Sequence, residues 1–161
     1  QLIASTIKEL KGEPEEPMVE PTIRLPVEGY LPDPYIADPN VRLSFYKRLA
    51  AFEQSDQVVE FEKELLDRFG DLPVPAWWLL RAVELKILAR RLKIKEIVLR
   101  KDRIRITFAE HSPIQPEKVV ALLKREKGRL RYLPEEALEY EVPGGPKERL
   151  AALRNLLLHL A

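Results

Sequence analysis

Residues 76–108 read AWWLLRAVELKILARRLKIKEIVLRKDRIRITF, and the fold follows from the change of pattern inside this stretch. Apolar residues cover most of the circumference of a helix predicted over residues 76–92. A helix of this kind packs on more than one side, so we place it at the centre of the fold. The hydrophobic period then changes from 3.6 to 2 over residues 97–100 and 103–108. Residues 101–102 between these runs predict a tight β-hairpin.

Further helices are predicted on both sides of this stretch. Asp38 is an aspartate cap followed by Pro39, which opens one helix, and Ser55 or Asp56 is expected to cap the next. The predicted helices cover residues 38–52, 55–69, 116–127 and 145–160, and short strands are expected at 22–27, 130–133 and 138–142. The predicted fold is α+β, a small and mostly antiparallel sheet packed with about five helices.

The N-terminal part of the chain is rich in proline, with seven of the fourteen prolines in the first 39 residues. Proline fixes φ and removes a hydrogen-bond donor, so we expect this part to run extended as an acidic linker. The chain starts at Gln1, and residues 2–10 have the pattern of the end of a helix. We therefore expect the chain to be a piece of a longer protein.

Composition narrows the class of protein. Lys and Arg number 27 against 26 for Asp and Glu, which argues against a strongly basic nucleic-acid surface but leaves room for a local patch. No cysteine is present, so the sequence predicts no disulfide framework and no thiolate chemistry. No apolar run approaches the ~20 residues of a membrane helix, and we expect a soluble, cytoplasmic protein. Two asparagines and four glutamines among many ionic residues are typical of heat-adapted proteins.

Motifs for catalysis and cofactor binding are absent from the sequence. It contains neither GxxxxGK[ST] nor GxGxxG, so no phosphate-binding loop is predicted. His111 and His159 lie far apart, with no HExxH motif and no cysteine to complete a metal site. We therefore predict that this chain by itself is not an enzyme and holds no cofactor or metal.

The predicted helix at residues 55–69 carries the most ordered charge pattern. At about 100° per residue, its apolar and polar side chains fall on opposite faces. The apolar face comprises Val58, Phe61, Leu65 and Phe69, and the polar face Glu60, Glu64, Asp67 and Arg68. Glu62 departs from this division and lies near the apolar face.

Two interpretations of the polar face remain open. It is either a solvated surface with the i,i+4 pairs Glu64–Arg68 and Lys63–Asp67, or a docking face for a partner of complementary charge.

The predicted hairpin also allows two interpretations. Its cations could bind phosphates as a nucleic-acid-binding module; they are Arg100, Lys101, Arg103 and Arg105. Alternatively they pair with Glu139 and Glu141, which alternate in the same way on the last predicted strand. No aromatic residue lies between the cations to stack on bases, which favours ion pairing on the sheet surface.

Two motifs carry a resemblance to a known family. They are DPNVRLSFYKRL at residues 38–49, preceded by Leu31 and Pro32, and ELLDRFGDLP at residues 64–73. In this order and separation they resemble the C-terminal domain of bacterial transcription-repair coupling factors, the Mfd family. The resemblance implies three parts: residues 1–12 as the tail of a preceding translocase domain, 13–30 as a linker or extended arm, and 31–161 as the C-terminal regulatory domain.

The resemblance also implies a function for the parent protein. Members of this family are ATP-dependent DNA translocases of the helicase superfamily, with ATP and Mg bound in the motor. They displace stalled RNA polymerase from double-stranded DNA and recruit UvrA in transcription-coupled nucleotide-excision repair. Their C-terminal domain packs on the N-terminal UvrB-like module of the same protein and masks the UvrA-binding surface. By position, the contact residues implied here are Glu64, Asp67 and Arg68.

Overall fold

The computed structural model describes residues 20–161 of the chain. Residues 1–12, and the part of the predicted linker before residue 20, lie outside the described residues. Within the described part the helices are α1 (Pro39–Ala51), α2 (Ser55–Phe69), α3 (Val74–Arg91), α4 (Pro116–Arg125) and α5 (Pro146–Leu160). The strands are β1 (Thr22–Arg24), β2 (Ile94–Arg100), β3 (Arg103–Phe108), β4 (Leu130–Leu133) and β5 (Ala137–Glu141).

The strands form one mixed sheet in the order β1-β2-β3-β5-β4. β1 pairs with β2 in parallel, and the other three pairs are antiparallel. Lys101 and Asp102 make the turn between β2 and β3, and Lys101 adopts a positive φ of 53°. The α+β fold with a mostly antiparallel sheet and the central hairpin are confirmed.

Helix α3 lies between two hydrophobic clusters. Trp78, Leu85 and Leu88 belong to a cluster with the inward face of the sheet and α5. Ala76 and Leu80, on another side of α3, belong to a second cluster with the buried residues of α1 and α2. We call these clusters the sheet core and the helical core. The central position predicted for this helix is confirmed, because the helix contributes to both cores.

The helix starts agree with the sequence in one case and differ in another. The Asp38 side chain accepts a hydrogen bond from the Asn40 backbone N–H at 2.8 Å and caps α1, as predicted. The cap of α2 was predicted one or two residues too late, since Ser55 is already helical and Gln54 occupies the cap position. There the Gln54 backbone N–H donates to the Gln57 side-chain oxygen at 2.9 Å. A side chain in the first turn of the helix thus satisfies a backbone donor at the cap.

The N-terminal arm, residues 20–30, packs along the body of the fold. The Glu20 carboxylate contacts the Lys86 ammonium at 2.9 Å and the Arg90 guanidinium at 3.1 Å, both on α3. β1 is an edge strand, as predicted, although it is shorter than the expected range of 22–27. Gly29 lies so close to the α3 backbone at Leu79 that a Cβ would have no room. Among residues 20–161, no helix has the length and apolar character to cross a membrane.

Candidate docking face

Helix α2 separates its residues as the sequence pattern predicts. Val58, Phe61 and Leu65 are buried in the helical core. Glu60, Glu64, Asp67 and Arg68 line a groove between α1 and α2 of about 660 Å³, and Asp67 and Arg68 are exposed there. We call this outward surface of α2 the docking face. The three side chains implied by the family resemblance, Glu64, Asp67 and Arg68, therefore line the same groove.

Glu64 is held by two arginines at this groove. Arg48 on α1 donates from Nη1 to Glu64 Oε2 at 2.8 Å and from Nη2 to Glu64 Oε1 at 2.9 Å. Arg68, one turn further along α2, donates from Nη1 to Glu64 Oε2 at 3.4 Å. The predicted Glu64–Arg68 pair is confirmed, but its contact is longer than either contact from Arg48. Bidentate arginine–carboxylate pairs combine the strongest charge-assisted hydrogen bonds with a defined orientation.

Aromatic rings of the helical core lie against the guanidinium groups of Arg48 and Arg68. Phe45 of α1 and Phe61 of α2 meet edge to face with ring centroids 5.4 Å apart. The Arg48 guanidinium lies 4.9 Å from the centroid of Phe61, and that of Arg68 lies 5.3 Å from the centroid of Phe45. Cation–π contacts of this kind hold both guanidinium groups against the helical core.

The same contacts shift the acid–base behaviour of the pair. Hydrogen bonding from Arg48 lowers the pKa of Glu64 below its ordinary value, with a smaller contribution in the same direction from Arg68 and partial opposition from burial. The hydrogen bond to Glu64 raises the pKa of Arg48. Both shifts favour the charged forms, so the pair is ionised at neutral pH.

Asp67 differs from Glu64 because none of the residues from 20 to 161 forms an ion pair or hydrogen bond with its carboxylate. The predicted Lys63–Asp67 pair is wrong, since Lys63 Nζ instead contacts Glu60 Oε1 at 3.3 Å. An acidic residue placed N-terminal to a lysine is the better orientation on a helix, which favours the Glu60–Lys63 arrangement. Within residues 20–161, Asp67 is therefore an exposed carboxylate without an ionic partner.

The position of Glu62, which the amphipathic pattern left unexplained, follows from helix α3. Glu62 Oε1 accepts a hydrogen bond from Arg81 Nη2 at 2.6 Å, and both side chains are half-buried. The Arg81 guanidinium also lies 5.5 Å from the ring centroid of Trp77. Glu62 thus joins α2 to α3, a role that no spacing within α2 could have indicated.

The hairpin cations are partly neutralised. Arg103 contacts Glu139 at 3.3 Å, as the ion-pairing interpretation predicts, and Glu139 also pairs with Arg131. Arg105 contacts Glu135 at 2.7 Å, a carboxylate that the sequence pattern did not indicate. The other two cations, Arg100 and Lys101, form no ion pair with any side chain in the described range. The hairpin therefore presents two available cations rather than four.

Comparison with known proteins identifies the family. The sequence pattern of the TRCF domain matches residues 25–119, which is more than half of the chain and includes the whole docking face. The chain belongs to the TRCF domain family.

Curated relatives of this TRCF domain share one description. The transcription-repair-coupling factor of Myxococcus xanthus is 32% identical over 145 residues, which cover 90% of this chain and 12% of that protein. Those of Haemophilus influenzae and Escherichia coli are 37% and 34% identical over 131 residues, covering 78% of this chain and 11% of each protein. The chain therefore spans about one eighth or less of the length of these relatives.

A solved structure has the same fold. It is described as the C-terminal domain of transcription-repair coupling factor and superposes with a TM-score of 0.73 at 21% identity. The match covers 88% of this chain and 90% of the solved one. The agreement extends well beyond residue 119, so the sheet and the C-terminal helices of this TRCF domain also belong to a known arrangement.

No cluster of metal-binding side chains was found in the part of this TRCF domain that the structure describes, residues 20–161. His111 is exposed in the loop after β3, and His159 near the end of α5 contacts Arg125 of α4 at 3.0 Å. The groove between α1 and α2 is lined mainly by ionic side chains, which give specificity to a contact with another protein surface.

Proposed function

We propose that this chain is the regulatory, autoinhibitory C-terminal domain of a transcription-repair coupling factor. In this proposal the docking face of α2 packs on the N-terminal UvrB-like module of the same protein and masks its UvrA-binding surface. The parent is an ATP-dependent DNA translocase that displaces stalled RNA polymerase from double-stranded DNA and recruits UvrA. Its motor, with ATP and Mg, belongs to the parent outside the regulatory domain, which carries no catalytic step itself.

The observation that supports this function is the grouping of Glu64, Asp67 and Arg68 beside one groove, with Asp67 exposed and unpaired within residues 20–161. A solvated face needs no such grouping, whereas a polar contact with another protein gains specificity and register from it. Arg48 orients the Glu64 carboxylate, whereas the Asp67 carboxylate, unpaired within residues 20–161, is available for an ion pair with a partner. The two carboxylates can therefore contribute to docking in different ways.

A contact of this kind suits an inhibited state that must open. An energy gap of about 3 kcal/mol between masked and open forms leaves roughly one molecule in 150 open. Polar contacts of modest size supply a gap of this order and release when the motor rearranges, since coupling energies between sites are typically about 1–3 kcal/mol. A wider free-energy gap would lower the open fraction further, by about tenfold for each 1.4 kcal/mol.

The proposal predicts that Glu64→Ala combined with Asp67→Ala in the full-length parent increases UvrA binding. Loss of about 1.4 kcal/mol from the masked state raises the open fraction about tenfold. UvrA affinity is measured by titration, together with basal ATPase activity and association with double-stranded DNA, each of which should also rise.

A matched control removes two exposed carboxylates far from α2, Glu110→Ala with Glu117→Ala, neither of which has an ion pair in the described range. This control should behave as the unmodified parent. Unchanged UvrA binding, ATPase activity and DNA association in the α2 double variant would rule out the docking face.

A further inference from the structure

We infer that Arg48 is a positioning residue of the docking face: from α1, it holds the Glu64 carboxylate of α2 in the orientation that the partner meets. This inference rests on the proposed function and adds a residue outside the ELLDRFGDLP motif. Arg48 and Glu64 lie sixteen positions apart, and the packing of α1 against α2 brings them together.

The contact between the two side chains defines the orientation of the carboxylate. Each guanidinium nitrogen of the Arg48 fork bonds a different oxygen of Glu64, at 2.8 and 2.9 Å. Two parallel hydrogen bonds fix the plane of the carboxylate, which a single contact leaves free to rotate.

Arg48 is itself held in place by the helical core. Its guanidinium lies 4.9 Å from the centroid of Phe61 and 5.4 Å from that of Phe45, and both rings are buried. The two aromatic contacts favour a position of the guanidinium over the helical core, where its two terminal nitrogens reach Glu64. The orientation of Glu64 is therefore determined by the core beneath it rather than by Glu64 alone.

The Glu64 carboxylate remains able to bind a partner while Arg48 holds it. A carboxylate has about four acceptor positions, of which the Arg48 fork uses one on each oxygen and Arg68 approaches a third. The Glu64 side chain keeps 33% of its accessible surface. Docking onto a side chain that is already ordered avoids the loss of conformational freedom on binding, so Arg48 strengthens docking rather than shielding Glu64 from it.

The test is Arg48→Met in the full-length parent, with UvrA affinity as the measurement. Methionine keeps an apolar side chain over the phenylalanines but removes the fork. We expect weaker docking and about two- to tenfold tighter UvrA binding, the effect of mobilising one interface side chain. Lys47→Met is the matched control, since Lys47 is the exposed neighbour of Arg48 with no partner in residues 20–161. It should leave UvrA binding unchanged.

A double-mutant cycle separates positioning from a general effect on folding. The variant with both Arg48→Met and Glu64→Ala should have the same UvrA affinity as Glu64→Ala alone, because Arg48 acts through Glu64. Arg48→Lys provides a second variant with the charge retained, and it should also tighten UvrA binding because a single ammonium nitrogen lacks the planar fork that fixes the carboxylate plane.

Three results would overturn the inference: unchanged UvrA binding in Arg48→Met, weaker UvrA binding, which would indicate shielding, or an equal effect of Arg48→Met with and without Glu64. The two proposals fail separately. If Glu64→Ala with Asp67→Ala has no effect, the docking function itself fails. If that double variant opens the parent and Arg48→Met does not, the role of Arg48 alone is wrong.

Discussion

Glu64 and Asp67 are both carboxylates on one face of α2, yet their surroundings give them different properties. Glu64 is ordered by Arg48 and Arg68, whereas Asp67 is exposed and has no ionic partner within the described region. Exposed pairs contribute about 0.2–1 kcal/mol to stability, and the bidentate geometry of Arg48–Glu64 places it towards the upper end. Substitutions at Glu64 should therefore affect both folding and docking, and those at Asp67 docking alone.

The lowered pKa of Glu64 predicts a pH-dependent contribution to stability. The folded-state pKa lies below the ordinary value of 4.5, so the contribution is fully present above about pH 4.5 and is lost as the pH falls through the folded pKa. Glu64→Gln should thus lower the free energy of unfolding by about 1 kcal/mol at pH 7. The difference should disappear in acid.

Urea unfolding of the 161-residue chain and its Glu64→Gln variant, at a series of pH values from 7 downwards, measures this difference. Glu60→Gln serves as the control, because its contact with Lys63 is exposed on both sides. A Glu64→Gln deficit that stays constant from neutral to acid pH would contradict the assignment.

At the scale of elements, α2 is connected to both neighbouring helices by ionic contacts. Arg48 joins it to α1 through Glu64, and Arg81 joins it to α3 through Glu62. The second connection is less exposed than the first, and the Nε atom of Arg81 is buried without a hydrogen-bond partner. The hydrogen bond and ion pair with Glu62 therefore offset much of the free-energy cost of burying the Arg81 guanidinium.

Removal of this connection predicts a loss of stability. Glu62→Ala leaves the half-buried Arg81 guanidinium without its carboxylate, and an unsatisfied buried donor costs about 1–3 kcal/mol. Glu60→Ala, on the exposed face of the same helix, should cost less than about 0.5 kcal/mol. Denaturant titration of both variants measures their free energies of unfolding. An equal decrease in the two variants would show that the Glu62–Arg81 contact stabilises the fold no more than the exposed Glu60–Lys63 contact.

The β2–β3 hairpin yields a separate prediction about nucleic acid. Because Arg103 and Arg105 are paired with Glu139 and Glu135, we expect no sub-micromolar, salt-dependent binding of the chain to double-stranded DNA. Filter binding at about 50 and 200 mM salt tests this expectation. Tight binding that disappears in an Arg100→Ala, Lys101→Ala variant would instead support the hypothesis of a nucleic-acid-binding module.

For the molecule as a whole, α3 joins two cores into one folding unit. The docking face lies over the helical core, while both tryptophans contact the sheet core. A helix shared by two clusters transmits the loss of packing in one to the other, and domains of this size usually unfold in one transition. The docking face is therefore supported by the stability of the entire fold.

Leu65→Ala tests this coupling. Leu65 is fully buried in the helical core, and its truncation should lower the free energy of unfolding by about 2–5 kcal/mol. Far-ultraviolet circular dichroism and tryptophan fluorescence should still report one common transition. Leu66→Ala is the control, as its side chain is 42% exposed and should change stability little. Early loss of helix signal, with the fluorescence transition unmoved, would show that the two cores unfold separately.

Much of this arrangement is predictable from short-range patterns. The change of period between α3 and β2, the turn at residues 101–102, the Asp38 cap and the two faces of α2 each depend on residues within about a turn or a strand of one another. The motifs at residues 38–49 and 64–73 likewise carried the family resemblance. The cap at Gln54 was missed because glutamine is not one of the preferred N-cap residues, whereas Ser55 and Asp56 beside it are.

By itself, the sequence determined the types and order of the elements, the central place of α3 and the family, since periodicity and motifs are properties of neighbouring residues. Only the tertiary structure decided which charges meet. Arg48 with Glu64, Arg81 with Glu62 and Arg105 with Glu135 join positions sixteen to thirty residues apart. Hydrophobic packing sets the distances and orientations of the elements. Only charged side chains that this packing brings within a few ångströms of one another form ion pairs.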